Sequence, residues 1–143
     1  KIADIIKYLT KKKIAVMGHV GLLPQTSSNF KLKGKNLKQR NSIMTDAISI
    51  SEAGVFSIVV ECVVESLAQK ITNTVKVPTI GIGASKYCDG QILVTDDILG
   101  LSNFLPKFVK QYSNLIKVIE KSIKNYVKDV KMKRFPFAKN IYK

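Results

Sequence analysis

The chain has 143 residues, of which 45% are hydrophobic and 24% charged, so it has room for one compact domain with a core and is not an intrinsically disordered chain. Its sequence has no run near the roughly 18 continuous apolar residues that cross a bilayer, which excludes a membrane span. The formal net charge of +14 raises the question of a polyanionic partner.

Lysine accounts for nearly all of this charge, because only Arg40 and Arg134 among the 24 basic residues are arginines. Proteins that recognise bases and phosphates favour arginine for its planar, five-donor guanidinium. The lysines are scattered along predicted helices, with no array of aromatic residues for stacking. We therefore interpret them as solvated helix faces and expect no nucleic-acid partner. A basic polyanion-binding module is the alternative.

The cysteine count and the first residues indicate a cytoplasmic protein. Cys62 and Cys88 are too few for an oxidised scaffold, and both are predicted to be reduced, with Cys62 in the core. With the single histidine, His19, they cannot form a tetrahedral zinc site without carboxylate ligands. Residues 1–9 mix lysine and aspartate into an apolar pattern, which is not typical of a signal peptide.

Four short apolar runs alternate with helical patterns along the chain. The predicted strands are residues 14–17, 55–60, 77–82 and 92–95, and apolar residues at helical spacing precede each of the first three. This order is typical of a parallel sheet with right-handed crossovers. From residue 108 to 130 the apolar residues recur at steps of three and four, which predicts one long amphipathic helix, or two in succession, covering a sheet. A membrane-surface helix is the alternative.

Reactive groups in parallel α/β folds gather beyond the carboxyl ends of the strands. The predicted ends deliver four groups to one edge of the sheet: Gly18 with His19, Glu61, residues 81–83, and residues 95–97. A long polar loop, residues 24–40, follows the first strand, and loops in this position are often functional.

Glu61 is the most informative of these residues. A carboxylate directly after apolar residues is costly to desolvate, and burial would make it more basic and suit it to general-base catalysis. The alternative is a glutamate that is solvated or paired with a lysine. A lone histidine such as His19 is more often structural, but Gly18 and Gly21 beside it would let the backbone approach a ligand closely.

Four strings, in order along the chain, resemble one family. Residues 16–25 have the sequence VMGHVGLLPQ, similar to VMGHLGLTPQ, and residues 58–63, IVVECV, resemble IVLECV. Residues 80–84, IGIGA, and residues 89–94, DGQILV, also resemble family strings. On these residues the chain is identified as a member of the ketopantoate hydroxymethyltransferase family.

The resemblance implies an α/β fold: the C-terminal half, about strands five to eight, of a (β/α)8 TIM-type barrel with added C-terminal helices, as a single partial barrel domain over residues 1–143. It also implies a cytoplasmic homo-oligomer. The enzyme would transfer a hydroxymethyl group from methylenetetrahydrofolate to the α-keto acid α-ketoisovalerate (3-methyl-2-oxobutanoate), giving ketopantoate for pantothenate biosynthesis. Mg2+ would hold the keto acid and polarise its carbonyl group.

The same resemblance assigns roles to residues. Glu61 would be the catalytic proton acceptor, and His19 would bind and orient the substrate or the folate. The Mg2+ ligands and a substrate-binding lysine would lie in an N-terminal half that this chain lacks, so no metal ligand is expected here. Three departures from the family pattern are Leu23 in place of threonine, a shortened loop at residues 30–35, and Asp96 where histidine is common.

A half barrel leaves two strand edges unpaired. Three hypotheses follow for this chain: it assembles with a complementary N-terminal half, it is an inactive remnant of a decaying gene, or two copies close on each other as a non-catalytic homo-oligomer.

Overall fold

A computed structural model describes residues 1–25 and 31–142. The chain divides into two compact units, Lys1–Ile92 and Leu93–Lys143. The first contains the sheet and the second is helical. The expectation of one domain over residues 1–143 stays a prediction.

The first unit alternates helices and strands. Its elements are α1 (Ile2–Lys11), β1 (Met17–Gly21), α2 (Leu37–Glu52), β2 (Ser57–Glu61), α3 (Glu65–Thr74), β3 (Thr79–Ile82) and β4 (Gly90–Gln91). All neighbouring strands pair in parallel, in the order β1-β2-β3-β4. The predicted alternation and parallel sheet are confirmed, and consecutive neighbours are what a partial (β/α) barrel would show.

The two faces of the sheet differ. Val20, Ile58 and Val60 point to one side and are buried, whereas His19 and Glu61 are half-buried on the other side. Helices α2 and α3 supply the core of the covered side with small and branched residues: Ile43, Ala47, Ile50, Leu67, Ala68 and Ile71. We call the side that carries His19 and Glu61 the open face.

The predicted boundaries shift where pairing and capping decide them. The first strand was predicted at residues 14–17. It instead runs from Met17 to Gly21, because these are the residues that pair with β2. The predicted loop, residues 24–40, ends earlier than expected. The Asn36 side chain accepts a hydrogen bond from the Gln39 N–H and starts α2 at Leu37. Residues 26–30 of that loop lie outside the described residues.

The prediction of a fourth strand at residues 92–95 is wrong. The paired residues are Gly90 and Gln91, and Val94 already caps the short helix α4 (Thr95–Leu99). Asp96 and Asp97 stand in the first turn of that helix, where carboxylates interact favourably with the helix dipole. An apolar run with an acidic end fits a strand and a helix start equally well, so its pattern did not separate the two.

The second unit contains α4, the long helix α5 (Leu115–Lys131) and a short 3-10 helix at Ala138–Asn140. Of the two predicted alternatives for the tail, a single long helix is confirmed, but it begins at Leu115 and not at residue 108 as predicted. The Asn114 side chain accepts the Lys117 N–H and caps its start. No residue of α5 is buried, and the expectation that it covers a sheet stays a prediction. Among the described residues, no helix is both long and apolar enough to cross a membrane.

Asp89 ties the turn before β4 to the start of β3. Its Oδ2 accepts hydrogen bonds from the Thr79 N–H at 2.7 Å and from the Thr79 hydroxyl at 3.0 Å. The backbone hydrogen bond, and then the hydroxyl, hold the pKa of the Asp89 carboxyl below its ordinary value. Thr79 itself is fully buried, so this contact fixes the register of the strand that carries Ile82.

We expect Asp89→Asn to lower the free energy of unfolding by about 1 kcal/mol or less at neutral pH, because it weakens charge-assisted hydrogen bonds whose charge is screened by solvent at this exposed residue. The folded pKa is lowered, so this stabilisation is present above the unfolded value of about 3.9 and is lost as the pH falls through the folded value. Urea midpoints for the wild type and the variant should therefore differ at about pH 7 and converge below about pH 4. Asp46→Asn, at an exposed site on α2, is the control and should change little. A gap that persists unchanged at low pH would contradict the role of the charge.

Candidate active site

The structure brings His19 and Glu61 together on the open face. Gly21 pairs with Glu61, and His19 pairs with Val59, so the two side chains are diagonal neighbours on adjacent strands. His19 Nε2 lies 3.1 Å from Glu61 Oε2, with side chains 27% and 14% exposed. Both groups can therefore contact a small molecule while most of their surface is shielded from water.

The contact between these two atoms has the length of an ion pair but not the alignment of a hydrogen bond. His19 Nε2 is buried and has no hydrogen-bond partner within residues 1–25 and 31–142, although Glu61 Oε2 is close. The two atoms are close enough for a hydrogen bond but are not aligned for one, and a hydrogen bond weakens steeply as its donor–hydrogen–acceptor angle closes. Nε2 is thus a buried polar atom that lies beside the Glu61 carboxylate without a hydrogen bond to it.

The backbone around Glu61 is tightly constrained. The Leu22 N–H donates to the Glu61 carbonyl at 2.9 Å, and the Cys62 N–H donates to the Ile82 carbonyl at 2.9 Å. Gly21 has a φ of 97°, and a Cβ there would lie 2.2 Å from the Glu61 carbonyl oxygen. Only glycine permits this approach, so Gly21 serves to let β1 lie against the end of β2.

Cys62 directly follows Glu61 and has the left-handed φ of 48°, which is unusual for a non-glycine residue. Its thiol is half-buried, not in the core as predicted. Burial raises the pKa of the Cys62 thiol, and the negative charge of Glu61 raises it further. The thiol is therefore protonated at neutral pH and a poor nucleophile. Cys88 is buried, and both cysteines are free, as predicted.

The other two predicted strand ends are residues 81–83 and residues 95–97. A Cβ at Gly81 would meet the side-chain amide of Gln91 at 2.9 Å, so this glycine makes room for packing on the covered side. Ile82 pairs with Glu61, and Gly83 follows with a φ of 60°. The expectation that a strand delivers residues 95–97 is wrong, because they belong to α4 in the second unit.

The described residues do not fit a resident metal ion on their own. Within them, no group of three or more histidine, cysteine, aspartate or glutamate side chains could hold one. Mg2+ prefers several oxygen ligands. The pair of Glu61 and His19 offers a single carboxylate.

A solvent-open cavity of about 300 Å³ follows β1. It is lined by Lys31, Leu32, Lys33, Lys35, Asn36 and Gln39. The sequence marked residues 24–40 as a functional loop but gave these lysines no role. The three lysines at positions 31, 33 and 35 within that loop were the available signal.

Residues 1–138 match the sequence profile described as "Ketopantoate hydroxymethyltransferase". The chain is 55% identical to the 3-methyl-2-oxobutanoate hydroxymethyltransferase of Pelagibacter ubique, covering 99% of this chain and 55% of that protein. The like-named protein of Pseudothermotoga lettingae is 49% identical, with 96% and 54% covered. That of Phenylobacterium zucineum is 51% identical, with 99% and 52% covered. The chain spans about half the length of the curated relatives it matches.

Proposed function

This chain belongs to the ketopantoate hydroxymethyltransferase family, and on that premise we propose that it supplies Glu61 and His19 to the transfer of a hydroxymethyl group from methylenetetrahydrofolate to 3-methyl-2-oxobutanoate. The observation that supports this role is the shielded Glu61 carboxylate on the open face, with His19 Nε2 at 3.1 Å. A base and an orienting group side by side are what proton removal next to a carbonyl group requires.

In the proposed reaction Glu61 is the general base. The C3–H bond of the keto acid is acidic because its carbanion is stabilised by the neighbouring carbonyl as an enolate. Water adds to the one-carbon unit of methylenetetrahydrofolate as the first of its two carbon–nitrogen bonds breaks, which leaves a hydroxymethyl group on the other nitrogen. Glu61 takes the C3 proton, and C3 bonds to the hydroxymethyl carbon as the second carbon–nitrogen bond breaks. The two folate nitrogens receive one proton from the water molecule and the proton held by Glu61, so the products are ketopantoate and tetrahydrofolate. A positioned general base contributes about a hundredfold to ten-thousandfold to such a step.

His19 is the proposed orienting residue. Its Nε2 has no hydrogen-bond partner in the described part of the chain, and an oxygen atom of the substrate would take that place once substrate binding uncovers this buried atom. A hydrogen bond from Nε2 would hold the keto acid with C3 toward the Glu61 carboxylate. The family expectation of Mg2+ stays a prediction.

We further propose that the matched stretch corresponds to strands five to eight of a (β/α)8 barrel. In the described residues β1 and β4 are the edges of the sheet, and such edges accept further strands. A complementary N-terminal half would then pair at these edges. If a second copy of the chain paired at these edges instead, the assembly would be closed but inactive. An inactive remnant would pair neither with an N-terminal half nor with a second copy.

The test is hydroxymethyl transfer, together with exchange of the C3 proton of 3-methyl-2-oxobutanoate for deuterium, followed by NMR. We expect neither reaction with the purified chain alone, and both when it is mixed with the N-terminal half of the Pelagibacter ubique relative in the presence of Mg2+. A folded and associated mixture without exchange would instead indicate a remnant or a scaffold. A stable dimer of the chain without turnover would indicate the self-closing assembly.

A further inference from the structure

Arg40 joins three parts of the first unit from its place in the first turn of α2. Its Nη1 donates to the Gly34 carbonyl at 3.4 Å, and its Nη2 donates to the Ser66 hydroxyl, in the first turn of α3, at 3.0 Å. Arg40 makes no ion pair with any residue in the two described ranges. Its planar guanidinium instead donates to two acceptors in fixed directions, which the flexible ammonium group of a lysine does not fix.

The start of α2 holds the cavity segment, residues 31–35, from one side. The Gly34 N–H donates to Gln39 Oε1 at 3.1 Å, so both backbone polar groups of Gly34 bond to side chains of α2. Gly34 is buried, and a Cβ there would lie 2.7 Å from Leu67 Cδ2, which shows how closely the segment packs against α3. Gly34 is therefore fixed by hydrogen bonds on one side and by packing on the other.

On its other side the cavity segment holds the backbone directly after Glu61. The Lys33 N–H donates to the Cys62 carbonyl at 2.8 Å, and the Val64 N–H donates to the Lys33 carbonyl at 3.0 Å. Cys62 has a left-handed φ of 48°, an unfavourable conformation for a non-glycine residue that persists only where its surroundings hold it. If the contact from Lys33 were lost, Cys62 could relax, and the peptide group between Glu61 and Cys62 would rotate.

We infer that Arg40 is a positioning residue for Glu61, an inference that rests on the proposed function. Arg40 fixes Gly34, the adjacent Lys33 holds the Cys62 carbonyl, and Cys62 directly follows the proposed base. The separation of 3.1 Å between Glu61 Oε2 and His19 Nε2 thus depends on a side chain at the start of α2. Arg40 acts through the backbone and has no part in binding the keto acid.

The first test is the rate at which the assembled protein exchanges the C3 proton of 3-methyl-2-oxobutanoate. In Arg40→Gln the maximal rate should fall about tenfold while KM for the keto acid stays within about twofold, because the base is displaced and the groups that bind the substrate are unchanged. Arg40→Lys should recover only part of the rate, since it keeps the charge without the planar fork. A wild-type rate in Arg40→Gln, or a rise in KM without a fall in the maximal rate, would overturn the inference.

Ser66→Ala is a milder variant that removes one of the two acceptors at an exposed site. It should slow proton exchange by about threefold in the wild type and have no further effect in Arg40→Gln, because the two residues share one contact. If Ser66→Ala slows both backgrounds by the same factor, the two side chains act independently and the inference is wrong.

A second measurement follows the backbone without turnover. Amide hydrogen exchange, followed by NMR, should be about tenfold faster in Arg40→Gln at the Lys33 and Val64 amides, which donate across the cavity segment. The Ile58 amide, which donates to the Pro78 carbonyl at the other end of β2, should keep its wild-type rate. Unchanged amides at 33 and 64 would contradict the inference. An equal increase at Ile58 would also contradict it, since the variant would then loosen the whole sheet.

The matched control is Lys38→Gln, which removes one positive charge from an exposed residue in the same turn of α2. It should leave the proton-exchange rate and the three amides unchanged. If it slows proton exchange as much as Arg40→Gln does, the effect comes from charge alone and Arg40 does not position the base.

The proposed function can fail separately from this inference. If Glu61 is not the base, Glu61→Gln will exchange the C3 proton at the wild-type rate, whatever the result for Arg40→Gln. If only the positioning role is wrong, proton exchange will depend on Glu61 but not on Arg40.

Discussion

Replacing Glu61 with glutamine should slow exchange of the C3 proton of 3-methyl-2-oxobutanoate by about a hundredfold to ten-thousandfold. The amide has nearly the size of the carboxylate but cannot accept the proton. The backbone contact that holds the residue, from the Leu22 N–H to the Glu61 carbonyl, does not involve the side chain. The exchange rate is measured by NMR in deuterium oxide on the assembled protein, and hydroxymethyl transfer is measured in parallel.

The matched control is Glu65→Gln, which makes the same chemical change at an exposed site in the first turn of α3. Its rate should stay close to that of the wild type. Equal unfolding midpoints for the wild type and Glu61→Gln would show that the loss is chemical. A variant at position 61 that exchanges the proton at the wild-type rate would remove Glu61 from the role of base.

Gly21→Ala should lower the free energy of unfolding by about 3 kcal/mol or more. The backbone has a φ of 97° there, and the added Cβ would lie 2.2 Å from the Glu61 carbonyl oxygen and 2.5 Å from Val63 Cγ2. To relieve these contacts, β1 must move away from the end of β2, which breaks the hydrogen bond from Leu22 to Glu61. The measurement is urea unfolding, and keto-acid exchange should be lost as well.

Gly54→Ala separates the clash from the backbone strain. Its φ of 99° is almost the same, but the nearest atom to a new Cβ is Thr10 Oγ1 at 3.4 Å, an ordinary contact distance. This variant should be destabilised by only about 1 to 2 kcal/mol, the cost of a left-handed non-glycine residue. Equal effects of the two substitutions would mean that the strands separate at Gly21 without cost.

The order of elements and the pair at the site were predictable because they depend on local pattern. Runs of apolar residues on both faces predicted parallel strands, and a carboxylate after such a run marked Glu61. His19 was found as the single histidine next to glycine. The first strand was assigned too early, so His19, which was predicted just beyond its carboxyl end, lies within β1.

The features that the sequence did not show depend on contacts between distant residues. The left-handed φ of Cys62 follows from simultaneous pairing with Ile82 and Lys33, and its side chain gives no sign of it. Asp96 and Asp97 lie in a helix because the residues before them cap α4 and do not pair as a strand. Composition does not distinguish these two outcomes. The segment that carries the cavity lysines is held at the sheet by the bridge between residue 33 and Val63, which joins residues far apart in the sequence.

The connection between β1 and β2 is the longest between neighbouring strands of the sheet, since it contains the cavity segment and α2. Closing a longer loop loses more conformational entropy, whereas β2, β3 and β4 join through shorter connections. Pairing of β1 is therefore expected to come late in folding. Because only that pairing places His19 beside Glu61, a chain with β1 detached would retain most of its sheet but have no reaction centre. The contact between His19 and Glu61 would then be lost whenever β1 detaches and would form again when β1 pairs.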